Sequence, residues 1–252
     1  MWRVLDLDLD FFVHGVAHYR DPDDERLPDE QYPPWSTDEA MEFLEDQCSL
    51  TGPLPGLVVE NHGEAFAGWR SQIEAGAWPV PFRVTRVDAH ADLGNGDAGF
   101  VYLMGELLFS EPSERTYPWG ADHPESPAYG LGDGNFLAFA AACRWIAELD
   151  YVFNDEGGDD VPVIHMEDFD IEAPHLELKA ADMKDLRRAA IAGNLPPVVY
   201  IEPRIPFNQV AWRDFHADSP FNAITLSRSP AFTPSRSDEL FSEIRRRFIT
   251  ED

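Results

Sequence analysis

"RVLDLDLDFFVHG", Arg3 to Gly15, sets Asp6, Asp8 and Asp10 at alternate positions in an otherwise apolar run. Side chains in a strand alternate between faces, so this spacing puts three carboxylates on one side and Leu5, Leu7 and Leu9 on the other. Packing alone does not call for such a face. Asp is depleted in strands, and like charges stacked together repel, so a positive group must lie against them. A divalent cation is the simplest candidate. The alternative is an edge strand whose polar face meets water.

Beyond this run the chain alternates between the two regular patterns. "HYRDPDDERLPDEQYPPWS" (18–36), crowded with Pro and Asp, reads as a long loop. "STDEAMEFLEDQC" opens with capping residues and reads as a helix. "LVVENHGEAFAGWRSQIEAG" is a strand running into a helix, and "FRVTRVDAHADLGNG" a strand ending in a glycine-rich loop. "GDGNFLAFAAACRWIAELDYVFND" gives a helix and a strand, "VPVIHMEDF" a strand, and "KAADMKDLRRAAIAG" a helix stopped at Gly193. "PPVVYIEPRIPF" and "FNAITLSRSP" supply two last strands before the amphipathic helix "SRSDELFSEIRRRFI". Such alternation predicts a mostly parallel sheet covered on both faces.

The 252 residues, 44% hydrophobic and 12% aromatic, suffice for one domain spanning 1–252 with a substantial core. The first apolar stretch is interrupted by Asp at every second position, and no run reaches membrane-spanning length, so a cytoplasmic location is expected. Cys48 and Cys143 lie far apart without CxxC spacing and read as buried small hydrophobes. The 47 acidic residues against 19 basic give a formal charge of −28, which makes nucleic acid an unsuitable partner and favours a cationic one.

In sheets of this kind ligands bind beyond the carboxyl ends of the strands. Three strand ends carry metal-ligating types: Asp8 and Asp10, His62 in "LVVENHGE", and Asp88, His90 and Asp92 in "VDAHAD". Carboxylates gathered in one cleft repel and raise one another's pKa unless metal is present. Two divalent ions would relieve this, and oxygen donors with two imidazoles suit manganese or a similar borderline-hard ion.

"VDAHAD" resembles the DAHxD signature of arginases and agmatinases, "ENHGEA" their GDHS segment, and "DLDLDFF" their strand-borne DxD. Together the three resemble most the arginase-like family that includes the peptide arginases, which convert peptidyl arginine to ornithine. The resemblance covers about the first hundred residues. It implies a three-layer α/β/α sandwich of the arginase and deacetylase kind and two Mn2+ ions. It further implies bridging by Asp8 and Asp88, with His62 and Asp92 completing one ion and His90 and Asp10 the other. Water would attack the guanidinium carbon, with Asp92 accepting a hydrogen bond or proton, and urea would leave.

Two departures from the family pattern stand out. The DxD segment precedes DAHxD here, which a circularly permuted strand order would explain; the rival pair in the family's order is Asp168 and Asp170 of "EDFDIEAP". In "YLMGELL" Met104 stands where the family carries a proton-shuttle histidine, leaving His14, His123 and His165 as candidates. A carboxylate must orient the guanidinium. Glu202 in "VVYIEPRIP" is the first choice, then Glu64 and Glu106, although Glu202 could instead pair with Arg204.

The loop "LGNGDAGF" has no cationic anchor for a free amino acid's carboxylate, and the acidic chain with long loops at 18–36 and 111–130 suits an arginine-bearing, ribosomally made peptide. A small-molecule ureohydrolase, an amide deacetylase and a non-catalytic peptide-binding module are the alternatives.

Overall fold

The structure is a computed structural model, and it describes residues 1–19, 26–94, 98–120 and 130–250. Among the described residues there are ten strands: β1 (Arg3–Asp8), β2 (Leu54–Val59), β3 (Phe82–Val87), β4 (Ile146–Phe153), β5 (His175–Leu176), β6 (Lys179–Ala180), β7 (Tyr200–Ile201), β8 (Ile205–Ala211), β9 (Ala223–Ser227) and β10 (Ile249–Thr250). Eight form one sheet in the order β10-β2-β9-β1-β3-β4-β8-β5, while β6 and β7 pair as a separate ribbon. Every pairing in the main sheet is parallel except that of β5 with β8. All strands from β10 to β8 therefore present their carboxyl ends on one side.

Six helices accompany them: α1 (Thr37–Glu42), α2 (Glu64–Glu74), α3 (Gly99–Gly105), α4 (Phe136–Ala142), α5 (Met183–Ala192) and α6 (Ser237–Phe248). Ser36 and Glu39 close a reciprocal capping box at the start of α1, as the spacing predicts. α6 carries Asp238 and Glu239 in its first turn and Arg245 to Arg247 in its last, each complementing the helix dipole.

The period of two in the strands separates two cores. Val4, Val84 and Ala223 face Phe66 and Trp69 of α2 and the buried apolar residues of α4. Leu5, Leu7, Val87, Ile224 and Leu226 face Met41 of α1 and Leu240, Ile244 and Phe248 of α6. Helices thus flank both faces of a mostly parallel sheet, an arrangement consistent with a three-layer sandwich. Cys48 and Cys143 are free and buried. Among the described residues no helix is long and apolar enough to cross a membrane.

Three expectations change. β1 ends at Asp8, and Leu9–Phe12 form a 3-10 turn whose first amide, that of Asp10, is capped by the Asp8 carboxylate at 3.1 Å. "VPVIHMEDF" forms two 3-10 turns, Val163–His165 and Glu167–Phe169, rather than a strand. Pro162 precedes the first without an amide for a ladder, and Asp168 turns the backbone left-handed at φ 52°. "PPVVYIEPRIPF" divides between the β7 ribbon and β8 of the main sheet.

His165 is buried with both ring nitrogens lacking a hydrogen-bond partner. Burial, and then Lys179, push its pKa down to about 3. The unfolded chain takes up that proton near the ordinary value of 6.5, so between these values it binds more protons than the folded chain. Stability therefore falls as pH drops through this window. His165→Leu removes the contribution, and its unfolding free energy, followed by urea denaturation at a series of pH values, will decline less steeply with acid than that of the wild type.

Candidate metal centre

The polar face of β1 is built in two tiers. The register places Asp6 beside Arg86 of β3 and beside Thr225 of β9, and Asp8 beside Ser227. In the lower tier the fully buried Arg86 donates from Nη1 to Asp6 Oδ2 at 2.7 Å, while Thr225 Oγ1 accepts from the Trp69 indole at 2.8 Å. The positive group that the aspartate face demands is thus partly supplied by the neighbouring strand. Arg86 lies two residues before Asp88, and strand parity puts both on this face.

The upper tier collects the strand tips. His62, on the loop after β2, has Nδ1 2.6 Å from Asp8 Oδ2 and Nε2 3.1 Å from Asp6 Oδ1. Ser229, left-handed at φ 44° after β9, donates from Oγ to Asp8 Oδ2 at 2.6 Å. His90 Nδ1 lies 2.9 Å from Asp10 Oδ2, and its amide donates to Asp88 Oδ1 at 2.6 Å. Asp92, left-handed at φ 47°, turns back so that its Oδ2 meets Arg86 Nη2, which also contacts Asp88 Oδ2. Phe136 at the start of α4 stacks on His62 with ring centroids 4.9 Å apart and lies 5.3 Å from the Arg86 guanidinium carbon.

Further residues hold this segment in place. Tyr151 donates from its hydroxyl to Ala89 O at 3.0 Å, and Asp160 accepts from the Ala91 amide at 2.8 Å. A Cβ on Gly157 would lie 2.6 Å from Ala89 O, so the loop after β4 needs glycine at that position. Glu64 accepts from the Asn61 amide, and Asp133 accepts from the Gly63 amide at 2.8 Å, which fixes the His62 loop.

Five carboxylates, those of Asp6, Asp8, Asp10, Asp88 and Asp92, thus share one buried space with a single guanidinium. With both imidazoles neutral, four negative charges remain uncompensated. The titration behaviour reflects this excess. Burial raises Asp88 and Asp92 well above the usual carboxylate range, their acidic neighbours add to it, and Arg86 opposes. Asp10 is raised by burial and by Asp8. Burial would lower both histidines, yet Asp6 and Asp8 push His62 well above its ordinary value and Asp10 pushes His90 up to about 10. Without a cation the cluster retains protons instead.

Two overlapping groups, Asp8 with His62 and Asp88, and Asp10 with Asp88 and His90, bring their ligand atoms close enough to hold a metal ion. Asp88 alone is common to both. Asp8 belongs to one, being drawn toward His62 and Ser229, and Asp92, whose Oδ2 meets Arg86, to neither. The donor set fits a divalent cation: His90 Nε2 is buried without a hydrogen-bond partner, and the charge deficit equals two such ions. Around the cluster lies a cavity of about 120 Å³, whose lining includes His18, Asn61, Asp133 and Asp160. Comparison with protein-family models, curated proteins and solved structures finds no match. The site is therefore read from its own residues.

Several residues expected here lie elsewhere. Glu202 precedes β8 and so sits at the amino end of the sheet, where it pairs with Arg115 at 2.8 Å and Arg144 at 2.9 Å; Arg204 pairs instead with Glu177 and Glu167. Glu64 is spent on its own loop, and Glu106 is exposed at the end of α3. Asp168 and Asp170 are exposed on a turn near the β5 edge. Met104 is buried against Ala181 and Leu186, His14 is exposed beyond the β1 turn, and His165 is a core residue. His123 lies outside the described residues.

Because both histidines must shed protons to ligate, and the neighbouring carboxylates hold His62 well above its ordinary value and His90 up to about 10, divalent-ion affinity will keep rising with pH from neutrality toward that value. Thermal shifts with Mn2+ at each pH measure this, and Asp88→Asn, which removes the shared ligand, will abolish the shift. Arg86→Gln, which leaves Asp6 buried without its partner, will cost about 3–5 kcal/mol in urea denaturation of chelator-treated protein.

Proposed function

We propose that the chain is a Mn2+-dependent hydrolase that converts arginine residues of a peptide to ornithine with release of urea. The observation that carries this reading is the sharing of Asp88 between two ligand groups at adjacent parallel strand tips. A paired centre needs one ligand common to both ions, and a structural site would have no use for a second. Two divalent ions held there would supply water with a pKa lowered toward neutrality.

The chain's own groups divide the remaining work. Asp92, buried at the edge of the cluster and lining its cavity, is placed to take a proton from water and to return it to the departing amine nitrogen. Arg86 fixes Asp92 through Oδ2. Asp133 and Asp160 line the cavity and take over from Glu202, Glu64 and Glu106 as carboxylates able to meet an incoming guanidinium. The C–N bond to the side-chain nitrogen breaks, that nitrogen remains as the ornithine amine, and the water oxygen leaves in urea. The formal charge of −28 favours a substrate carrying several cationic groups.

Incubation of the Mn2+-loaded protein with arginine-containing peptides will give urea and, by mass spectrometry, a decrease per modified arginine equal to the mass of cyanamide. Free arginine will be a poor substrate. Urea from the free amino acid and from no peptide would refute the peptide assignment, and Asp88→Asn will lower turnover by at least about a hundredfold.

A further inference from the structure

The two ligand groups that share Asp88 are not equivalent. In the Asp10–Asp88–His90 group, His90 Nδ1 lies 2.9 Å from Asp10 Oδ2 and 3.7 Å from Asp88 Oδ1, and among the described residues no arginine or lysine pairs with Asp10. The Asp8–His62–Asp88 group already holds a cation of the chain. Arg86, fully buried, has Nη1 3.0 Å from His62 Nδ1 and 2.5 Å from His62 Nε2, while its Nη2 meets Asp88 Oδ2. Both nitrogens of His62 and one oxygen of Asp88 are thus in contact with the guanidinium. Arg86 reaches the first group only through the shared Asp88.

We infer that Arg86 is an internal cation standing in one half of the paired centre, so that the Asp10–Asp88–His90 group takes a divalent ion first and the Asp8–His62–Asp88 group second, on withdrawal of Arg86; the inference rests on the paired centre proposed above. A divalent ion and a guanidinium repel at contact distance, and in a buried space the repulsion is weakly screened. An ion can therefore join Asp8, His62 and Asp88 only in molecules whose Arg86 has withdrawn, and its apparent affinity is reduced by the fraction so arranged. Withdrawal does not strand the guanidinium, which keeps Asp6 Oδ2 at 2.7 Å from Nη1 and Asp92 Oδ2 against Nη2. Its hold on His62 is the contact it can yield. A neutral imidazole has one lone pair and a protonated one none, so the ring cannot serve Arg86 together with Asp8 at 2.6 Å and Asp6 at 3.1 Å. Arg86 Nε, buried without a hydrogen-bond partner, adds nothing that fixes the side chain. The centre is thus assembled in two steps, with a one-ion form between them.

Mn2+ alone, titrated into the chelator-treated full chain and followed by the electron paramagnetic resonance of the free ion, tests the order of filling without turnover. The wild type will bind one equivalent tightly and a second about tenfold or more weakly. Arg86→Gln will reduce the ratio of the two site constants severalfold. Loss of a positive charge strengthens both ions, so the ratio and not either constant is the readout. Two further variants test the same point with Arg86 in place, whether or not Arg86→Gln folds: His62→Ala will keep the tight ion and lose the weak one, and His90→Ala will lose the tight one. Equal site constants in the wild type, an unchanged ratio in Arg86→Gln, or equal affinity for the remaining ion in His62→Ala and His90→Ala would each overturn the inference. One ion in the wild type and two in Arg86→Gln would uphold it and remove the two-ion basis of the hydrolase reading, whereas two unequal ions without urea from any peptide would remove that reading alone.

Discussion

Everything at the carboxyl end of this sheet depends on how buried negative charge is compensated. Taking a carboxylate out of water costs several kcal/mol even after relaxation, and the cost is recovered only by a partner of opposite sign in good geometry. Arg86 supplies that partner for Asp6, its direct neighbour in the register of β1 and β3. One guanidinium cannot serve five carboxylates. The lower tier is therefore closed and nearly neutral, while the upper tier is left short of positive charge at the point where the strands open toward solvent.

The division between tiers explains local features that packing alone would not. β1 stops at Asp8 because the carboxylate caps the following turn, and this turn carries Asp10 back over the sheet toward His90. Asp92 and Ser229 both adopt left-handed backbone conformations, which cost free energy for non-glycine residues and persist where the surroundings fix them. Here the fixing contacts are Arg86 for Asp92 and Asp8 for Ser229. Two of the six non-glycine residues with positive φ among the described residues thus lie beside the unpaired charge.

Strand parity made much of this legible. Alternation in "RVLDLDLDFF" separated the aspartate face from the leucine face, and the strand-end positions of His62, Asp88 and His90 marked the tips that converge. Arg86 carries the same signal, since it shares a face with Asp88, but an arginine within a strand ordinarily reads as a solvent-facing residue. Strand direction was the missing quantity for Glu202: it does stand at a strand end, but β7 belongs to a separate ribbon and the next strand of the sheet starts at Ile205, so Glu202 is at the amino end. Ser229 and Asp133 reach the site through loop geometry, which no local pattern encodes.

Parallel topology also decides which loops meet at the cluster. The loops after β1, β2, β3, β4 and β9 emerge on the same side, so all five reach one cavity without any change to the sheet beneath. The cluster cavity, of about 120 Å³, lies among these strand tips. Asp10, His62, His90, Asp160 and Ser229 come from the loops after β1, β2, β3, β4 and β9, so the cluster is assembled by topology from segments far apart in the sequence.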